Sequence, residues 1–143
     1  MKKIYFDMDG TLVDLYNMPN WLRQLRAHES EVFELAPARI NLSRLAKHLT
    51  RLQQKGYIIG IISWLPAEST AEFDKEVQKA KIKWLAHHLP SINFDEEFFL
   101  PYGTPKELCG NGILFDDNEA VRESWGEGAF DETKIFSILK LLG

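Results

Sequence analysis

Asp7 and Asp9 flank a single residue in the segment FDMDGT, where a short apolar run ends. A carboxylate is a nucleophile when ionised and an acid when protonated, so two of them around one reacting centre can divide those tasks. At a strand end the backbone leaves its pleat, and alternation no longer dictates where the two side chains point. One acid can then attack while the other reaches the leaving group. Gly10 gives the turn its freedom, and Thr11 offers a hydroxyl to orient Asp9. Further along, Ser63 follows the run YIIGII, Lys106 lies in YGTPK, and Asp116 and Asp117 close the run ILFDD.

Converging carboxylates raise one another's pKa values, and they repel a phosphate. A hard divalent cation with oxygen ligands resolves both problems, and Mg²⁺ usually takes one or two carboxylates together with substrate phosphate. Lys106 would add a fixed positive charge beside the nucleophile. The Ser63 hydroxyl, with nearby backbone N–H groups, could bind a phosphoryl oxygen as charge builds up. Phosphoryl transfer demands mainly positioning and charge neutralisation, which these residue types supply.

The elements that must hold them can be read from periodicity. Residues 3–8, 57–63 and 113–116 are apolar runs of the kind expected for buried parallel strands, with 97–100 and 128–130 as two further candidates. Between them, Leu42, Leu45, Leu49 and Leu52 recur at helical spacing, with Asn41 as N-cap and Gly56 as stop. Phe73, Val77, Ala80 and Trp84 form a second stripe; Ile135, Ile138, Leu139 and Leu142 form a third, capped by Asp131. Strands alternating with helices predict an α/β fold, a three-layer, doubly wound, Rossmann-like domain over residues 1–143 with a mostly parallel five-stranded sheet. Ligands of such sheets sit at the carboxyl ends of the strands, where the reactive residues fall. Lys75, Lys79, Lys81 and Lys83 read as the solvated face of the second helix.

The order DxDGT, Ser, Lys, DD resembles the four motifs of the haloacid dehalogenase-like superfamily. That resemblance implies that Asp7 forms an aspartyl-phosphate and binds Mg²⁺. It implies that Asp9 is the acid/base and lends its backbone carbonyl to the metal, and that Asp116 binds Mg²⁺ with Asp117 in support. Ser63 would contact the phosphoryl group, with Gly10, Thr11 and Trp64 beside it on the substrate side, and Lys106 would neutralise charge. An acid at Asp9 favours the phosphatases over the dehalogenase branch. Lys106 stands only ten residues before Asp116, too close for the longer helix of larger members. About thirty residues remain between Asp9 and Ser63 once the strand and helix there are placed, which leaves a flap and short helical insertion over about 14–40 and little or no cap. The compact layout is similar to small 5′-nucleotidase-like members, with Tyr16, Trp21 and Trp64 as candidate surfaces for stacking a base.

Composition agrees with a globular chain: 45% hydrophobic and 27% charged residues. A net charge of −4 argues against charge-driven nucleic-acid binding, although phosphorylated polynucleotide ends stay open as substrates. No apolar run is long enough to span a membrane, and MKKIYFDMDG reads as a first strand, not a signal peptide. A lone cysteine, Cys109, fits a reducing cytoplasm. The expected function is Mg²⁺-dependent hydrolysis of a phosphorylated small molecule such as a nucleotide. Two alternatives stand beside it: a phosphate-binding protein that has lost turnover, and a receiver-like phospho-accepting module.

Overall fold

The computed structural model describes residues 2–143. The apolar runs form the strands β1 (Lys3–Phe6), β2 (Ile58–Trp64), β3 (Glu96–Leu100), β4 (Ile113–Phe115) and β5 (Ala129–Phe130). They pair entirely in parallel in the order β3-β2-β1-β4-β5. The helices are α1 (Trp21–Arg26), α2 (Glu31–Leu35), α3 (Leu42–Gln54), α4 (Ala71–His88), α5 (Glu119–Trp125) and α6 (Ile135–Leu142).

The pleat of β1 sends Ile4 and Phe6 to one face of the sheet and Tyr5 to the other. On the first face these two, with Ile59 and Ile61, join the core formed by Leu45, Leu49 and Leu52 of α3, Val77 and Trp84 of α4, and Ile135 and Leu139 of α6. On the second face Tyr5, Ile62 and Leu114 cluster with Val121 of α5. Both faces are therefore covered, which is why the strands read as unbroken apolar runs. The result is the three-layer, doubly wound architecture expected from the sequence. Helix starts follow side-chain chemistry: Asn41, Thr70 and Asn118 each accept a hydrogen bond from the backbone N–H three residues on.

The chain winds from β1 outward through β2 to β3, then crosses back to β4 and β5. The strand order thus reverses between β1 and β4, and their carboxyl ends flank the crevice where such sheets bind ligands. The return from β3 to β4 must cross three strand spacings, about 14 Å. It does so in residues 101–112 with only a 3-10 turn at Lys106–Leu108.

Between β1 and α3 the insertion carries α1 and α2. Its two ends are tied together: Val13 bridges Ala38 in antiparallel fashion, Asp14 N–H donates to Pro37 O at 2.8 Å, and Arg39 N–H donates to Leu12 O at 2.8 Å. The indole N–H of Trp84 donates to Ala36 O at 2.7 Å and pins the returning segment to α4. Among the described residues no helix is long and apolar enough to cross a membrane.

Leu49 is fully buried between α3 and the sheet. Leu49→Ala is expected to lower the unfolding free energy by about 2–5 kcal/mol, and Asn41→Ala, which removes only a cap, by about 1 kcal/mol. Urea denaturation of the two variants checks both the magnitudes and their order.

Candidate active site

Asp7 and Asp116 follow directly on β1 and β4, and the ladder continues into them: Asp7 N–H donates to Phe115 O at 2.9 Å and Asp116 N–H to Phe130 O at 3.0 Å. Two acids are therefore fixed by the sheet itself. Asp7, Asp116 and Asp117 each present an oxygen within 4.8 Å of the others. Lys106 reaches this trio from its 3-10 turn, donating to Asp7 Oδ1 at 3.0 Å and to Asp116 Oδ2 at 2.6 Å while only 2% exposed. Burial opposes the Lys106 charge, but the Asp7 and Asp116 carboxylates outweigh it and hold its pKa above the ordinary lysine value. Burial, and then the neighbouring Asp7 charge, push both Asp116 and Asp117 above the usual carboxylate range.

The turn after Asp7 closes on one carbonyl. Met8 O accepts from the N–H groups of Thr11, Leu12 and Val13 at 3.0, 2.9 and 2.9 Å. Gly10 sits at φ +84°, and a Cβ there would lie 2.3 Å from Asp117 Oδ2. Only glycine combines that backbone with so close a carboxylate. The Thr11 hydroxyl lies 3.0 Å from Asp7 Oδ2 and 3.3 Å from Asp117 Oδ1, and accepts from Asp117 N–H at 3.2 Å. It serves Asp7 and Asp117, whereas the sequence reading gave it to Asp9. The turn is tight enough to fold Thr11 back over the nucleophile's own carboxylate.

Asp9 is held by a residue the sequence reading misplaced. Lys81, expected on a solvated helix face, is 1% exposed. Its ammonium donates to Asp9 Oδ2 at 3.0 Å, Ser63 Oγ at 2.7 Å and Trp64 O at 2.8 Å. The signal was present: Lys81 falls four residues after Val77 and three before Trp84, on the same apolar stripe of α4. A lysine there must find buried acceptors. Burial raises the Asp9 pKa above the ordinary carboxylate value; the Lys81 charge opposes that rise and the Asp7 charge adds to it.

These groups share a cavity of about 320 Å³. Asp7, Asp9, Ser63, Lys106, Asp116 and Asp117 line its polar part, so the structure brings together every catalytic and metal-ligating candidate. The Asp9 carboxylate stands apart from the trio, on Lys81. Tyr16, Trp21, Trp64 and Tyr102 line the apolar part. Trp64 is fixed by an N–H bond to Thr104 O at 2.7 Å and stands over Lys106, 5.4 Å from ring centroid to Nζ. Tyr16 and Trp21 meet edge to face at 5.0 Å. Three hard oxygen donors with a single ammonium among them suit a divalent cation such as Mg²⁺, with Asp7, Asp116 and Asp117 as its ligands.

No protein-family model matches the chain, and no curated protein matches it. Among solved structures it is similar to a chain of a Pnkp1/Rnl/Hen1 complex, with a TM-score of 0.57 and 18% identity over 92% of this chain and 45% of that one. The chain spans less than half the length of that neighbour. At this identity the likeness shows the α/β fold alone. These findings correct the family expectation: nothing in them supports membership of the haloacid dehalogenase-like superfamily or a place among its small, nearly capless, 5′-nucleotidase-like members. Four short motifs in order reproduce a site without carrying the whole-chain likeness that defines a family.

Two outcomes test the geometry. Gly10→Ala drives a methyl group into Asp117 and is expected to weaken divalent-cation binding by about 10-fold or more, read by titration calorimetry on protein whose circular dichroism is unchanged. Because raised pKa values mean that Asp116 and Asp117 hold protons which a cation must displace, affinity rises with pH. The increase in melting temperature on adding Mg²⁺ should be larger at about pH 8 than at about pH 6, and an equal increase would remove these carboxylates from the cation site.

Proposed function

We propose that the chain is a Mg²⁺-dependent phosphomonoester hydrolase working through an aspartyl-phosphate on Asp7. The observation that carries this reading is the pairing of Asp7 with buried Lys106 beside Asp116 and Asp117, while a second acid, Asp9, lines the same cavity on a separate ammonium. A nucleophile and an acid/base held by different partners can act in turn.

In the first half-reaction an Asp7 oxygen attacks phosphorus, and the new acyl-phosphate bond forms as the bond to the leaving alcohol's oxygen breaks. Asp9 gives its proton to that oxygen, so the alcohol departs neutral. In the second, the Asp9 carboxylate takes a proton from water. The water oxygen bonds to phosphorus, the acyl-phosphate bond breaks, and phosphate leaves with Asp7 restored. Lys106 and the Ser63 hydroxyl face charge that grows on the phosphoryl oxygens. When bound at Asp7, Asp116 and Asp117, Mg²⁺ adds positive charge to those oxygens and offsets the repulsion between carboxylates and phosphate.

The substrate class we favour is a phosphorylated small molecule with a flat leaving group, such as a nucleotide. The aromatic wall of Tyr16, Trp21, Trp64 and Tyr102 beside the acids supports it. Phosphorylated polynucleotide ends, whose terminal bases such a wall could also stack, are a further class to assay. The single free cysteine suits work in the cytoplasm.

A panel of nucleotides, sugar phosphates and phosphorylated polynucleotide ends, with and without Mg²⁺, tests the reading. Turnover should require Mg²⁺, and Asp7→Asn should reduce it at least about 1,000-fold. Hydrolysis that survives Asp7→Asn unchanged would remove Asp7 as nucleophile.

A further inference from the structure

Resting on that phosphatase reading, we infer that Lys81 is a positioning residue that sets both the proton-carrying oxygen of Asp9 and the direction of the Ser63 hydroxyl. An ammonium has three protons and no acceptor. Lys81 directs them to Asp9 Oδ2, Ser63 Oγ and Trp64 O, at 3.0, 2.7 and 2.8 Å. No donor is left over for a ligand. Lys81 therefore acts on substrate only through the groups that it holds.

Two consequences follow from the direction of these bonds. Ser63 Oγ is an acceptor towards Lys81, so its single O–H proton is left to donate elsewhere, and Ser63 lines the cavity. The hydroxyl is thus committed as a donor to a phosphoryl oxygen before substrate arrives. Asp9 Oδ2 is occupied by Lys81, while Oδ1 has no side-chain partner among the described residues. Oδ1 is then the oxygen that delivers a proton to the leaving group and later takes one from water. Lys106 has no part in this: its bonds go to Asp7 and Asp116. The two buried lysines divide the site, one holding the nucleophile and the other the acid/base with the phosphoryl donor.

The test is a pair of substrates of nearly equal shape, phenyl phosphate and p-nitrophenyl phosphate. Phenolate needs a proton as it leaves, whereas the far more acidic p-nitrophenol leaves readily as its anion. Lys81→Met removes the hold on Asp9 and is expected to reduce kcat on phenyl phosphate by about 100-fold or more, with a loss on p-nitrophenyl phosphate at least about tenfold smaller. Ser63→Ala, which removes the phosphoryl donor and leaves Asp9 in place, should lose activity equally on both. If Lys81→Met is too unstable to purify, Asp9→Asn/Lys81→Met leaves no charge without its partner and loses only the orientation of Ser63. It should then fall below Asp9→Asn equally on both esters, and by no more than Ser63→Ala falls below the wild type. Equal losses on the two esters in Lys81→Met, or a double variant that falls below Asp9→Asn by more than the Ser63→Ala loss, would overturn the positioning role while the phosphatase reading stands. A wild-type protein inert towards both esters and the whole panel would overturn the phosphatase reading, and this inference with it.

Discussion

Four carboxylates share one small crevice, and two buried ammonium groups are what allow them to stay there. Without Lys106, Asp7 and Asp116 would face each other across the β1–β4 junction as unscreened like charges. Without Lys81, Asp9 would be an acid pressed into an apolar wall. Breaking such a pair from one side typically costs about 3–5 kcal/mol, because the remaining charge stays buried. The sheet order, the short β3–β4 return and the length of α4 all serve to bring those two side chains inward. Lys106 arrives on a single 3-10 turn because the return has no room for a helix. Lys81 arrives from the middle of an 18-residue helix whose neighbouring positions are core.

Most of the fold was legible because the pattern that reveals it is also the physics that builds it. Runs such as YIIGII are apolar throughout because both faces of their strand are covered, and Asn41 announces a helix start because its side chain accepts from a free N–H. Asp7 and Asp116 could be placed at strand ends because each follows an apolar run without a break. Thr11 and Lys81 were harder to place. The partner of the Thr11 hydroxyl depends on how sharply the DMDGT turn folds back, which composition does not report. Lys81 carries the same letter as Lys75, Lys79 and Lys83, and only its phase on α4 separates a buried ammonium from three solvated ones.

The family was less legible than the site, for a related reason. A few acids, a serine and a lysine at the strand ends of a parallel sheet can be assembled by unrelated chains, so their order alone does not show ancestry. The 18% identity to a chain in a Pnkp1/Rnl/Hen1 complex is of the size at which architecture persists and little else does.

The tie between residues 12–14 and 37–39 has a consequence for how such a site could diversify. Because the two ends of the α1–α2 segment are already joined by backbone bonds, the entropy of closing the intervening chain grows only slowly with its length. Segments of different length could be exchanged above that stem, provided that each keeps the contacts reaching down to the acids, where Phe33 of α2 lies over Lys81 and Tyr16 packs beside Gly10. The stem thus frees the length of this segment, while Phe33 and Tyr16 tie its sequence to the acids below.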